Sequence, residues 1–221
     1  MNNLRRNCIV YDYETTWNVG SDPKCDPVQL AAIVIDLKRK EIISGSDFCI
    51  DICPPTLKND DYYDTHAKTI DWHCKIQNST IEELFLRWGA GTPEKQAWKE
   101  YLAYVKSYSK GETWTTTPIL AGMNIRNFDM KIDTRLHERY GTKNPFWRRE
   151  VFDIMELFGY WFLYSNNPPH DYKLDTVRKH FGMSLENAHD AMQDVKDSAD
   201  ILIRFLNLFD RITQKVPLLN G

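Results

Sequence analysis

Long apolar runs are missing from this 221-residue chain. No stretch approaches the ~20 apolar residues needed to span a bilayer. The N-terminal "MNNLRRNCIVYDYE" offers only a short apolar run before an acid, too little for a signal peptide. A cytoplasmic location is therefore the expectation, the host's cytoplasm if the chain is viral. Cysteine is scarce and odd in number, at five, and no C-x-x-C pair occurs. That excludes a disulfide framework and favours a reducing compartment. His73–Cys74 and the Cys49/Cys53 pair lack the closely paired ligands of structural zinc. Surplus positive charge is also absent. Lys and Arg number 28 against 31 Asp and Glu, a net charge of -3. A strongly basic nucleic-acid coat is excluded. Nucleic acid, if bound, would be gripped over a short segment or through metal ions. There is no internal repeat, low-complexity tract or linker, so residues 1–221 read as a single domain.

What is there suffices for a sizeable core. Apolar residues make up 42% and charged residues 27%, ordinary for a globular chain. "NCIVYDYE" reads as a short strand. "VQLAAIVIDL" is apolar on both alternating faces, as a central strand would be. "IISGSDFCI" reads as a third strand, which makes an antiparallel meander. The segment at about 51–117 is mostly helical by pattern, with Trp98, Tyr101, Val105 and Tyr108 at helical spacing. "PILAGMN" and "REVFDIMELF" each read as a strand leading into a helix. "YKLDTVRKHFGM" reads as a short helix stopped near Gly182. A long terminal helix starts near Asp190, with Val195, Ala199, Leu202, Leu206 and Phe209 as its apolar stripe. The order predicts an α/β domain with a mixed five-stranded sheet, three antiparallel strands then two parallel, flanked by helices.

Acids punctuate this pattern. Asp12 and Glu14 follow the apolar "CIVY" with one residue between them. A buried carboxylate needs a hydrogen-bond network, a basic partner or a metal. Alone the pair is weak, because 20 Asp and 11 Glu make such a match common by chance. Asp129 stands at a strand-to-helix junction, after Asn124 and Phe128, where a helix N-terminal acid would also sit. His189 precedes Asp194 by five positions, a spacing that His66/Asp71 and His170/Asp175 repeat, so context must separate them. Only His189/Asp194 opens a long amphipathic helix. The combination says more than its parts. Strand ends of an α/β sheet can converge on one edge. Four acids gathered there would repel unless divalent cations neutralise them, and carboxylate oxygens suit Mg²⁺ or Mn²⁺.

The three motifs "DYETT", "GMNIRNFD" and "HDAMQD", in that order, resemble those of the DEDDh (DnaQ-like) 3′–5′ exonucleases of the ribonuclease H-like fold. The upstream "LDTVRKHFGM" is also similar to the family's segment before the third motif, and the resemblance spans roughly Cys8 to Phe209. It implies catalytic Asp12, Glu14, Asp129, His189 and Asp194, with the four acids as ligands for two ions and His189 as general base. It implies substrate contacts from Thr15, Thr16, Phe128 and Asn124, and from His66 through "THAKTID". Trp17, an extra aromatic in a long loop, is a candidate base platform. Lys173, Arg178 and Lys179 are candidate phosphate contacts. Met123 stands where the family often has a histidine, which puts substrate details in doubt.

The implied activity is two-metal hydrolysis of nucleic acid, foremost single-stranded DNA, from the 3′ end, releasing nucleoside 5′-monophosphates. The alternatives are an RNA-directed enzyme similar to oligoribonuclease or ribonuclease T, and a non-catalytic module that binds nucleic-acid ends. The implied partner is a single-stranded 3′ end and no membrane; a homodimer or a polymerase partner is left open by the sequence.

Overall fold

A computed structural model describes residues 6–113, 116–144, 146, 150–163, 165–185 and 190–215. Two long strands form its centre, β1 (Asn7–Thr15) and β2 (Pro27–Asp36). They pair antiparallel from Asn7↔Asp36 to Glu14↔Gln29, with a register shift between Glu14 and Thr15. β3 (Glu41–Ile42) and β4 (Phe48–Cys53) both pair with β2, and β5 (Thr92–Pro93) adds to β4. On the other side β6 (Ile119–Gly122) lies parallel to β1, and β7 (Val151–Asp153) parallel to β6. The sheet is mixed and seven-stranded, in the order β5-β4-β2-β1-β6-β7 with β3 beside β2. The sequence anticipated five strands. The "IISGSDFCI" segment breaks into β3, which ends at Ile42, and β4, which starts at Phe48, with Gly45 at φ +73° in the turn between them. β5 has only two residues, too few to show any periodicity.

Alternation along β1 sorts its side chains between two cores. Cys8 and Val10 face one core, with Val195, Ala199 and Leu202 of α7 (Ala191–Lys215) and Phe158 of α5 (Ile154–Phe162). Ile9, Tyr11 and Tyr13 face the other, with Trp98, Tyr101 and Val105 of α3 (Glu94–Ser107) and Ile132 and Leu136 of α4 (Asp129–Tyr140). The period of two puts Asp12 and Glu14 on the α7 side, as the continuation of the Cys8–Val10 stripe. A third, smaller core joins α1 (Tyr62–Gln77) to α2 (Ile81–Ala90) through Tyr62, Ile70, Leu84 and Trp88. α6 (Leu174–His180) precedes α7.

Local chemistry sets the helix ends. Thr80 and Glu83 close a reciprocal capping box on α2. Asp153 ends β7 and caps α5 through Met155 N–H at 3.1 Å, and its other oxygen accepts from Arg126 N–H at 3.1 Å. Asp190 accepts from Gln193 N–H at 3.0 Å, so α7 starts at a fixed point. Gly141, at φ +62°, ends α4. No helix among the described residues is long and apolar enough to cross a membrane.

Candidate metal centre and cleft

β6 pairs with β1 over Cys8–Val10. The rest of β1 runs on past it, so Asp12 and Glu14 stand at the carboxyl end of the sheet's central strand. Asp194 reaches them from the first turn of α7. Ligand oxygens of Asp12, Glu14 and Asp194 lie within 4.8 Å of one another. Asp129, at the start of α4, is buried and accepts from Tyr13 N–H at 3.1 Å. It therefore hangs on the β1 backbone beside Asp12.

The electrostatics follow from crowding. Burial and the Asp194 carboxylate push Asp12 up to about 8, against the pull of Arg178. Glu14 rises through burial and the charges of Asp12, Asp194 and Asp190. Asp129 rises through burial and Asp12, and its backbone hydrogen bond to Tyr13 opposes the rise. Buried like charges disfavour ionisation. A divalent cation would relieve both the burial cost and the repulsion, and the all-oxygen donor set suits a hard ion. The residues present fit a divalent metal.

Two clefts meet at Glu14. One, of about 530 Å³, is lined by Asp12 to Thr15, Trp17, Asn18, Lys68, Thr69, Trp72 and Phe128. The other, of about 610 Å³, is polar and runs past Gln29, Asp51, His73, Gln77, Arg87, Asp190 and Gln193. Four aromatic residues line the first, Tyr13, Trp17, Trp72 and Phe128. Gly20 lets the β1–β2 loop close against α4: a Cβ there would lie 2.4 Å from the Phe128 carbonyl oxygen.

The sequence-predicted substrate residues divide. Thr15, Trp17 and Phe128 line the aromatic cleft. The Thr15 hydroxyl also donates to Trp17 O at 2.8 Å. Asn124 sits in the turn into α4, with φ +56°, and accepts from Asn127 Nδ2 at 3.0 Å. Thr16 is fully buried, and its hydroxyl donates to Lys24 O at 3.1 Å and accepts from Asp26 N–H at 3.1 Å. It staples the loop shut. His66 is buried with its two ring nitrogens on the carbonyls of Tyr62 and Lys24, each at 2.9 Å. The structure does not bring Thr16 or His66 into the cleft. His189 lies outside the described residues.

Several neighbours of the site carry no motif. Trp72 lines the aromatic cleft from α1. Its signal was helical spacing with Lys68 and Thr69. His73 Nε2–H donates to Thr15 O at 2.8 Å, across the register shift that follows Glu14. Burial lowers its pKa, and the hydrogen bond to Thr15 opposes the shift. Arg178 corrects a reading: it is not a surface phosphate contact but is 1% exposed, with its guanidinium among three carboxylates.

No protein-family model matches the sequence, and no curated protein matches it. Solved structures do match. E. coli exonuclease I in complex with a dT13 oligonucleotide superposes with TM-score 0.66 at 20% identity, over 93% of this chain and 43% of that one. Exonuclease I from Methylocaldum szegediense gives TM-score 0.63 at 21% identity, over 90% and 40%. Cell-death related nuclease 4 gives TM-score 0.66 at 13% identity, over 91% and 64%. This chain thus spans about two-fifths of the exonuclease I chains it resembles. Its mixed α/β fold is that of exonuclease I and of cell-death related nuclease 4.

Proposed function

We propose that this chain is a divalent-metal-dependent 3′–5′ exonuclease that shortens single-stranded DNA and releases nucleoside 5′-monophosphates. The observation that carries it is the convergence of Asp12, Glu14 and Asp194 within 4.8 Å, with Asp129 bound to the same strand. Exonuclease I, which shares the fold, was solved with DNA oligonucleotides, and that favours DNA. All 221 residues form one nuclease domain in this reading, with the helices of 51–117 supplying part of the cleft wall.

Asp12, Glu14, Asp129 and Asp194 would hold two ions, Mg²⁺ or Mn²⁺. Bound there, the ions would supply a water of lowered pKa and charge stabilisation for the departing 3′ oxygen. The protein's own part is positional. β1 and the capped start of α7 fix the carboxylates before substrate arrives. Asp129 holds its place through the Tyr13 N–H. His189 takes the proton of the attacking water; an unperturbed imidazole, with a pKa of about 6.5, is suited to this near neutral pH. The terminal base enters the cleft of Trp17, Trp72 and Phe128, whose stacking is indifferent to sequence. Only an unstacked base can enter between such walls, so single strands are preferred.

The test uses 5′-labelled single-stranded DNA and RNA with Mg²⁺ or Mn²⁺, and EDTA as control. A ladder that shortens from the 3′ end and vanishes in EDTA is expected, faster on DNA. A faster RNA ladder reassigns the substrate. Binding to ends without any ladder rejects catalysis.

A further inference from the structure

Arg178 is the basic side chain packed against the acid cluster. Its side chain is 1% exposed. Nη2 donates to Asp194 Oδ1 at 2.6 Å, Nε to Asp197 Oδ2 at 2.7 Å, and Nη1 to Asp175 Oδ1 at 3.0 Å. Asp197 in turn accepts from Gln193 Nε2 at 2.9 Å. One planar fork thus holds an acid of α6 and two acids one turn apart on α7. Asp194 is the only one of the three that also belongs to the carboxylate triad.

We infer that Arg178 is a positioning residue for the metal centre: it orients the Asp194 carboxylate toward Asp12 and Glu14 before any ion binds. This rests on the metal-binding reading above. Two effects of the guanidinium oppose each other. Its charge repels an incoming cation, whereas its hydrogen bond fixes a ligand. Orientation wins, because Asp175 and Asp197 already offset the charge locally, and the 2.6 Å bond to Asp194 is direct. Without the fork, Asp194 and Asp197 would face each other as like charges at i and i+3. Asp194 would then turn away from Asp12 and Glu14. The fork also ties α6 to α7, the two helices that bracket the 181–190 connection containing His189.

The experiment measures Mn²⁺ binding to the whole protein by calorimetry, beside thermal unfolding in EDTA. Arg178→Gln should weaken Mn²⁺ binding by about tenfold or more, the usual effect of removing a group that orients a ligand. Asp197→Asn removes a different arm of the same network. It should lower the unfolding temperature yet leave Mn²⁺ affinity within about twofold, since the Asp194 bond remains. Arg178→Lys keeps the charge but has no planar fork, so it should fall between wild type and Gln. If Arg178→Gln does not fold, the Lys variant decides. Equal or tighter Mn²⁺ binding in a folded Arg178 variant overturns the inference, and so does equal weakening in Asp197→Asn. Wild-type protein that binds no Mn²⁺ instead overturns the metal reading on which it stands.

Discussion

Acids meet both faces of β1, and the two sets differ. On the α4 side, Asp133 accepts from Tyr11 Oη at 2.7 Å and Tyr13 Oη at 3.0 Å. On the α7 side, Asp12 and Glu14 face Asp194, another acceptor. One face of the strand therefore supplies donors to a carboxylate of α4, and the other carries carboxylates that repel one another. A buried acid with donors is part of the framework. A crowded, half-buried group of acids without enough of them needs an ion from outside. Asp153, with two backbone N–H donors, belongs to the first kind.

The sharpest break of that contrast is a pair of amides. Asp12→Asn should abolish nuclease activity with the fold intact. Asp133→Asn should leave most of it, because an amide can still meet both tyrosines. An Asp133 variant as dead as the Asp12 variant would erase the distinction.

Metal addition should come next in size. Saturating Mn²⁺ should raise the unfolding temperature of the wild type, by about 2.7 kcal/mol of stability at a hundredfold excess over the dissociation constant. Asp12→Asn should lose most of that gain, and Asp133→Asn should keep it. Calorimetric melts with and without EDTA would show which face answers to the ion.

A pH series separates the faces further. Burial lifts Asp133 to about 7, against its tyrosine hydrogen bonds. Its folded pKa lies above the unfolded value of about 3.9. Its contribution to stability is thus complete below that value and lost as pH rises through 7. The slope is up to about 1.4 kcal/mol per pH unit in between. With Mn²⁺ present to hold the other acids ionised, Asp133→Asn should flatten the stability curve between pH 4 and 7. An unchanged slope would remove Asp133 as its source.

The smallest effect concerns the cleft wall. Trp72→Ala should weaken binding of single-stranded DNA by about 1–3 kcal/mol. Fluorescence anisotropy in Ca²⁺ would measure it. Unaltered affinity would place the base elsewhere.

The acids that converge were legible because each follows a recognisable element: an apolar strand, a strand-to-helix turn, the start of an amphipathic helix. Their shared face followed from the period of β1. Other features had no such handle. Arg178 read as a phosphate contact because two of its three partners, Asp194 and Asp197, lie 16 and 19 residues on. Thr16 and His66 looked like ligand contacts because nothing in the sequence says that the β1–β2 loop folds back to use them. β3 and β5, two residues each, are too short to leave a pattern.

Gly20 has a consequence for how the chain can drift over generations. The loop bearing Trp17 and the turn bearing Phe128 meet backbone to backbone, with no side chain between them. The span of the aromatic cleft is gauged by that contact and not by the aromatics themselves. Exchanging one ring for another would change what the cleft grips while keeping its width. Any residue larger than glycine at position 20 would push the walls apart, and their rings with them, without exchanging a single one.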